Sequence, residues 1–275
     1  MSPSLNNRLF VAFSPTRLSM LMLRRGLKPK VMAKFDETFV PIANQPTWAT
    51  ALDRFTQQLS LPEWQKAEVN IVLSNQFLRF DVMNFGTQLK QYAAKEAFAR
   101  YALSQTYGTV VEQWTLRIQS AQKDSLRLVS AIDQTLLHGL QQACAAHQLK
   151  LKLVTPYLTS AFNRFQKQLN NDPAWLVIHE PGYSLLVLVS AGQFAAINGV
   201  PHDTINELSV LLDRENLLSA LPEPCSNVYL HAPTLTNHSA IPKTQYQFNK
   251  LELAVPEGFP SQADGLFSIL LSECL

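Results

Sequence analysis

The chain has 275 residues, 47% of them hydrophobic, and carries 23 Lys and Arg against 21 Asp and Glu. That length and apolar content suit one large domain or two intimate ones and exclude a disordered chain. A net charge of +2 with dispersed basic residues excludes the cationic footprint with which nucleic-acid binders neutralise phosphate.

The first segment, Arg8–Arg25, reads RLFVAFSPTRLSMLMLRR. Leu9, Val11 and Phe13 share one face of a strand, and Leu18, Met20 and Met22 share one after a turn, because successive side chains alternate across a strand. Arg24-Arg25 with Lys28 and Lys30 is the densest basic group; it reads as a solvated hairpin end, with acidic lipid or a partner as the other reading. A third strand is expected over Lys30–Phe39. Trp48, Leu52, Phe55 and Leu59 then form one apolar helical stripe, with Thr47 or Asn44 as its cap. Val69, Ile71 and Leu73 alternate, and after Ser74-Asn75-Gln76 so do Leu78, Phe80 and Val82. That is either one kinked strand or two strands joined by a tight turn. Thr87–Gln105 is rich in helix formers, with Leu89, Tyr92, Ala93 and Ala97 expected on its buried side and Gly108 as its stop.

Thr109–Ile118 and Ser125–Ala131 read as a hairpin or meander around Gln119–Asp124. A helix follows over Asp133–His147, then a short strand at Lys150–Val154 and a helix over Tyr157–Leu169 with Phe162 and Phe165 at helical spacing. Asn170–Pro173 (NNDP) is the strongest boundary signal, since Asn, Asp and Pro all favour turns. The segment beyond it, Trp175–Val200, reads WLVIHEPGYSLLVLVSAGQFAAINGV and repeats the first pattern: apolar strand, short turn, apolar strand. A helix over Asp203–Leu218, a strand at Asn227–His231, a polar loop at Ala232–Lys243, and apolar runs at Leu251–Val255 and Gly265–Leu271 complete the order. Mixed order of this kind indicates α/β with sheets covered by helices. The repeated strand–turn–strand unit indicates two similar halves.

Cys144, Cys225 and Cys274 are far apart and include no CxxC pair, which argues against a disulfide framework or structural zinc and suits a reducing cytoplasm. MSPSLNNRLF lacks a signal-peptide pattern. The most apolar stretch, Trp175–Val189, is broken by His179-Glu180-Pro181-Gly182 and is too short to span a bilayer. A soluble protein is expected.

The order and local texture resemble the actin-like, ribonuclease H-like fold, and within it the PilM-type proteins of type IV pilus assembly and the cytoplasmic domain of GspL-type secretion proteins. The residues that carry the resemblance are LFVAFSPTRLSMLML at the first hairpin, NIVLSNQFLRFDVMNF, the helix QYAAKEAFARYA with Glu96-Ala97, Gln113-Trp114, LKLVTPYLTSAFNRF, and WLVIHEPGYSLLVLVSAGQFAAINGVP at the second hairpin. The resemblance implies an α/β, actin-like fold of two ribonuclease H-like halves with mixed sheets flanked by helices. It places a first half at 1–155 with a subdomain inserted at about 66–131, and a second half at 156–275.

Active members of the fold place Asp and Gly in a turn of each half, so that backbone N–H groups reach phosphate and a carboxylate orders Mg²⁺-bound water. Here the first turn, Ser14-Pro15-Thr16, has neither, and Pro15 removes a donor. The second keeps Glu180 and Gly182, with Ser184 two residues on, but Pro181 lies between them. The adenosine position after Asn227–His231 reads His231-Ala232-Pro233-Thr234, without a glycine pair. The resemblance, read with these departures, implies no cofactor, no metal and no catalytic residue, with Ser14, Thr16, Glu180, Gly182 and Ser184 marking a degenerate cleft. It implies a non-catalytic cytoplasmic scaffold, peripheral to the inner membrane, that binds either the cytoplasmic tail of a bitopic membrane protein or a pilus or secretion motor ATPase. The other reading is a divergent actin-like ATPase or sugar-kinase relative rebuilt on Thr16, Glu180 and Ser184.

No phosphate-loop, dinucleotide, nucleophile-elbow or HExxH motif is present. Ser184 reads as a strand hydroxyl before it reads as a nucleophile. His138, Cys144 and His147 share a helix but lack further ligands for a metal. Asp203 and Glu207 fit a helix start. Trp48, Trp64, Trp114 and Trp175 fit core or half-buried anchors. Tyr92, Arg100 and Tyr101 are the surface group that a partner would use.

Overall fold

The computed structural model describes residues 7–24, 30–120, 126–169, 171–202, 205–219, 221, 223–233, 235 and 245–253. Arg25, Lys28, Asp203, Thr234, Cys274, most of the predicted 232–243 loop and the 265–271 run lie outside them. The chain divides into two compact units.

The described residues of the first unit are 7–77, 134–164 and 253, less the gap at 25–29. Its sheet contains β1 (Asn7–Ser14), β2 (Arg17–Arg24), β3 (Lys30–Thr38), β4 (Ala67–Leu73) and β8 (Lys150–Pro156), in the order β3-β2-β1-β4-β8. The first three strands run antiparallel; β4 and β8 join in parallel. β1 is buried from Leu9 to Ser14, on both faces, as a strand covered on each side must be. Helix α1 (Ala49–Leu59) packs its stripe inward, with the Phe55 ring edge-on to Phe13 at 5.1 Å. Helix α3 (Gln134–Ala146) lies so close to α1 that a Cβ on Gly139 would come within 2.5 Å of Leu52 Cδ2. Helix α4 (Tyr157–Phe165) begins where β8 ends, and the buried Asn75 side chain accepts the Leu158 N–H at 2.9 Å, capping it from across the unit. No side chain caps α1: its N-cap residue is Trp48, and neither Thr47 nor Asn44 fills the role.

The second unit comprises 78–133 and 165–252. Its larger sheet contains β9 (Ala174–Glu180), β10 (Tyr183–Ser190), β11 (Gln193–Pro201), β12 (Asn227–His231) and β13 (Gln247–Lys250), in the order β11-β10-β9-β12-β13. The pairing directions repeat those of the first sheet strand for strand. Helix α5 (Leu208–Leu218) follows a short 3₁₀ turn, so the helix predicted from Asp203 begins later. Glu207 is its N-cap residue without a side-chain cap bond. β13 was not legible: its sequence, QFNK, is polar and lies at a sheet edge.

A second sheet of this unit contains β5 (Leu78–Met83), β6 (Trp114–Ile118) and β7 (Arg127–Asp133), in the order β5-β7-β6. The choice left open at Ser74-Asn75-Gln76 resolves as two strands joined by a 3₁₀ turn and committed to different sheets. Helix α2 (Tyr92–Tyr107) covers this sheet with Ala99 and Leu103. Tyr92, Ala93 and Ala97 are exposed instead of buried, because a helix so rich in alanine has little amphipathic contrast to reveal its inner face. Residues 108–113 form a 3₁₀ turn where the sequence predicts a strand.

One side chain ties the larger sheet of the second unit to its loops. Asn216 Oδ1 accepts from Trp175 Nε1 and from the Cys225 N–H, both at 3.0 Å. Its Nδ2 donates to the Cys225 carbonyl (3.0 Å) and to the Tyr246 hydroxyl (3.1 Å). The Tyr246 hydroxyl donates to Asp213 at 2.6 Å, and burial together with that bond pushes its phenol up to about 12. Asn216→Ala removes all of Asn216's bonds, each worth about 1 kcal/mol net, so urea denaturation is expected to show a loss of about 2–4 kcal/mol.

Candidate functional site

The positions where this fold would hold phosphate are the hairpin turns that close β1 on β2 and β9 on β10. Both are two-residue turns: Ser14 pairs with Arg17, and Glu180 with Tyr183. A phosphate-cradling loop needs several consecutive N–H groups converging on one point. Each turn contains a proline in its two residues, so each has a single amide beyond the paired strand ends.

In the first turn the local polar groups are used within the hairpin. Ser14 Oγ donates to the Arg17 carbonyl at 3.3 Å. The Thr16 carbonyl accepts the Phe39 N–H at 2.9 Å. Arg17 reaches diagonally to Asp36 on β3, with Nε–H donating to Oδ1 at 2.8 Å and a second close contact through Nη2. The fully buried Ser19 donates to the same carboxylate at 2.6 Å. Sequence reasoning does not single out Asp36; its place within an alternating strand of mixed charge gives no cue to the strand and residue it meets.

The second turn holds more. Gly182 adopts φ +72°, the conformation a turn with proline before it requires at this residue. Its carbonyl accepts the His202 N–H at 3.2 Å. Ser184 is fully buried. Its Oγ lies 3.1 Å from His179 Nδ1 and 2.8 Å from His202 Nε2, and the two imidazoles stack with centroids 5.3 Å apart at 24°. Ser184 has one proton and two ring neighbours, so it donates to one and accepts from the other. His202 Nδ1 is buried without a partner. A bare lone pair there costs less than a bare N–H, so His202 carries its proton on Nε2 and donates to Ser184, and Ser184 donates to His179 Nδ1. Burial first, and the neighbouring His202 second, lower His179 to about 4.

Beside this cluster Tyr183 reaches diagonally to β11, as Arg17 reaches to β3. Its hydroxyl fills the space of a side chain at Gly199, where a Cβ would fall 1.8 Å from the oxygen. Burial and then Glu180 push its phenol well above the ordinary range. Glu180 itself is buried at 2% exposure, although it stands at the end of a strand beside the turn. At the adenosine position His231 is fully buried, its Nδ1–H donating to the Leu251 carbonyl at 3.0 Å, and burial lowers it to about 4.

The structure therefore places Glu180 and Ser184 at the same turn but on opposite faces of the sheet, and gives Ser184 two partners that the sequence reading missed. The cue was available: once Pro181-Gly182 is a two-residue turn, Ser184 must face His179. Ser184 has no access to solvent, so it does not present a nucleophile to a substrate. Among the described residues no three His, Cys, Asp or Glu side chains converge as for a metal. Cys144 faces the core while His138 is exposed. Arg100 is half-buried and donates to the carbonyls of Val111 (2.6 Å) and Trp114 (3.2 Å). Tyr92 and Tyr101 remain exposed. No helix among the described residues is long and apolar enough to cross a membrane.

No family model matches the chain, and no curated protein matches it in sequence. Solved structures do match its shape. The PilM–PilN type IV pilus biogenesis complex aligns with a TM-score of 0.66 at 11% identity, over 97% of this chain and 96% of that one. The cytoplasmic domain of EpsL, an inner-membrane component of the Vibrio cholerae type II secretion system, aligns with 0.58 at 13%, over 97% and 93%. A Bacteroides thetaiotaomicron protein with an actin-like ATPase fold aligns with 0.57 at 13%, over 86% of each. The fold is actin-like.

Two outcomes follow from the buried histidines. His179 and His231 favour their neutral forms when folded, while the unfolded chain takes up their protons near the ordinary value of 6.5. Their contribution is therefore complete above about pH 6.5 and is lost as pH falls toward 4, by up to about 1.4 kcal/mol per pH unit for each. Urea melts at pH 7.5, 5.5 and 4.5 should show that decline, shallower in His179→Gln. Ser184→Ala strands two buried ring nitrogens and is expected to cost about 1–3 kcal/mol at pH 7.5.

Proposed function

We propose that the chain is a non-catalytic scaffold of a type IV pilus or type II secretion-like assembly platform, working in the cytoplasm beside the inner membrane. The observation that carries this reading is the state of the two turns. Each has the fold's strand geometry, but neither supplies the amides that a triphosphate requires, and the side chains around them are committed to one another. The alignments over nearly the whole chain with EpsL and with the PilM–PilN complex support the choice of assembly platform among the uses of an actin-like fold. The division expected from sequence, a first half to residue 155 with an insertion and a second half from 156, belongs to this reading.

Its partner in that role is the cytoplasmic tail of a bitopic inner-membrane protein or the motor ATPase of the same system. Extended tails add affinity through main-chain hydrogen bonds and specificity through side-chain pockets. A protein without nucleotide chemistry transmits force or shape between such partners by docking.

Mg²⁺-ATP at 5 mM in a thermal melt tests the reading. Binding with a dissociation constant of about 1 µM would add about 5 kcal/mol by linkage and raise Tm by several degrees. The expected outcome is an unchanged Tm and no phosphate release. A clear rise accompanied by hydrolysis would establish an ATPase instead.

A further inference from the structure

We propose that the outer edge of β3 is a self-complementary docking edge, and that its occupant is a second copy of this chain, added antiparallel so that two five-stranded sheets join edge to edge. β3 ends the strand order of its sheet, and its one strand neighbour among the described residues is β2. Alternate residues of an antiparallel strand aim their main-chain groups at one neighbour or the other. The Phe39 N–H turns inward to the Thr16 carbonyl, and Ser14 and Arg17 close the first hairpin as a directly paired couple. The odd-numbered residues of this stretch thus face β2, and Lys34, Asp36 and Thr38 present their N–H and C=O groups outward.

The side chains then choose the register. Residues 30, 32, 34, 36 and 38 lie on the exposed face and 31, 33, 35 and 37 on the half-buried one. An antiparallel copy that uses the outward groups can set Lys34 against Asp36 of the second copy, Lys34 against Lys34, or Asp36 against Asp36. The last two place like charges directly opposite, which destabilises a strand pair. The first places opposite charges together twice, by symmetry. It also puts Phe35 against Phe35 on the two-fold axis, an aromatic pair on the half-buried face, and sets Met32, 51% exposed, against Thr38. The bulge opposite Met22 and Leu23 bounds the paired stretch at its start.

A lysine on an edge strand ordinarily discourages pairing with other strands. Here an acid two residues away gives a second copy the matching charge, so the guard that excludes foreign strands admits an identical one. Asp36 is already oriented by Arg17 and Ser19, which fixes the carboxylate that the incoming Lys34 would meet. An isologous pairing of this kind closes at two copies.

Sedimentation velocity of the intact chain from 1 to 200 µM, in 50 mM and 500 mM salt, tests the proposal. The expected result is a monomer–dimer equilibrium that weakens with salt, and that Lys34→Glu weakens by about tenfold or more. Asp36→Lys is expected to be monomeric as well. An equimolar mixture of the two variants restores the dimer, because at both crossings of residues 34 and 36 a positive side chain then faces a negative one again. Should Asp36→Lys fail the circular dichroism check for folding, Phe35→Cys replaces it. Mild oxidation then links two chains at that one position only if residue 35 lies on the axis. A wild-type chain that stays monomeric at 200 µM in 50 mM salt overturns the proposal, including the case in which a foreign strand takes the edge. So does a dimer that Lys34→Glu leaves unchanged.

Discussion

Each five-stranded sheet depends on a central strand that pairs antiparallel on one side and parallel on the other, β1 in one unit and β9 in the other. Both are buried along most of their length, β9 at every residue. A strand sealed on both faces must bond all its main-chain groups to its neighbours, and the turn that returns it to the next strand must be tight enough to keep the register. The two-residue turns at Pro15-Thr16 and Pro181-Gly182 meet that demand. Each turn also has a proline among its two residues, which leaves a single amide beyond the paired strand ends.

Polar groups near the ends of these strands bond to one another: Arg17 and Ser19 to Asp36 at the surface of the first sheet, and His179 and His202 to Ser184 in the interior of the second. The second set is buried, so its two ring–hydroxyl bonds are held in a low-dielectric setting where each is stronger and its loss more costly. Tyr183 lying over Gly199 occupies the diagonal that Arg17 and Asp36 take in the first sheet. The two units have thus solved the same packing problem at the head of the second strand, once with an ion pair and once with an aromatic ring over a bare backbone.

Strand order and the duplication were legible in the sequence because alternation and two-residue turns are local signals. Arg8–Arg25 and Trp175–Val200 each announced a hairpin, their recurrence indicated two similar halves, and the mixed order of elements indicated α/β. The inner face of α2 was not legible, since an alanine-rich helix gives no contrast, and β13 was missed because a polar edge strand gains its identity only from its neighbour. At the candidate site, Ser14, Thr16, Glu180, Gly182 and Ser184 were named because the resemblance pointed to these two turns. His179 was missed although the two-residue turn fixes it opposite Ser184, His202 because it meets Ser184 only through the pairing of a third strand, and Asp36 because its partner lies on another strand. Side-chain function in this molecule is written in pairings, not in runs of residues.

The most direct test of sealed turns is amide hydrogen exchange across Ser14–Arg17 and Glu180–Ser184, with and without saturating Mg²⁺-ATP. Turns whose groups already satisfy one another exchange at the same rate in both conditions, which is the predicted result. New protection at both turns on adding nucleotide would show that they still grip a triphosphate, and would contradict the account.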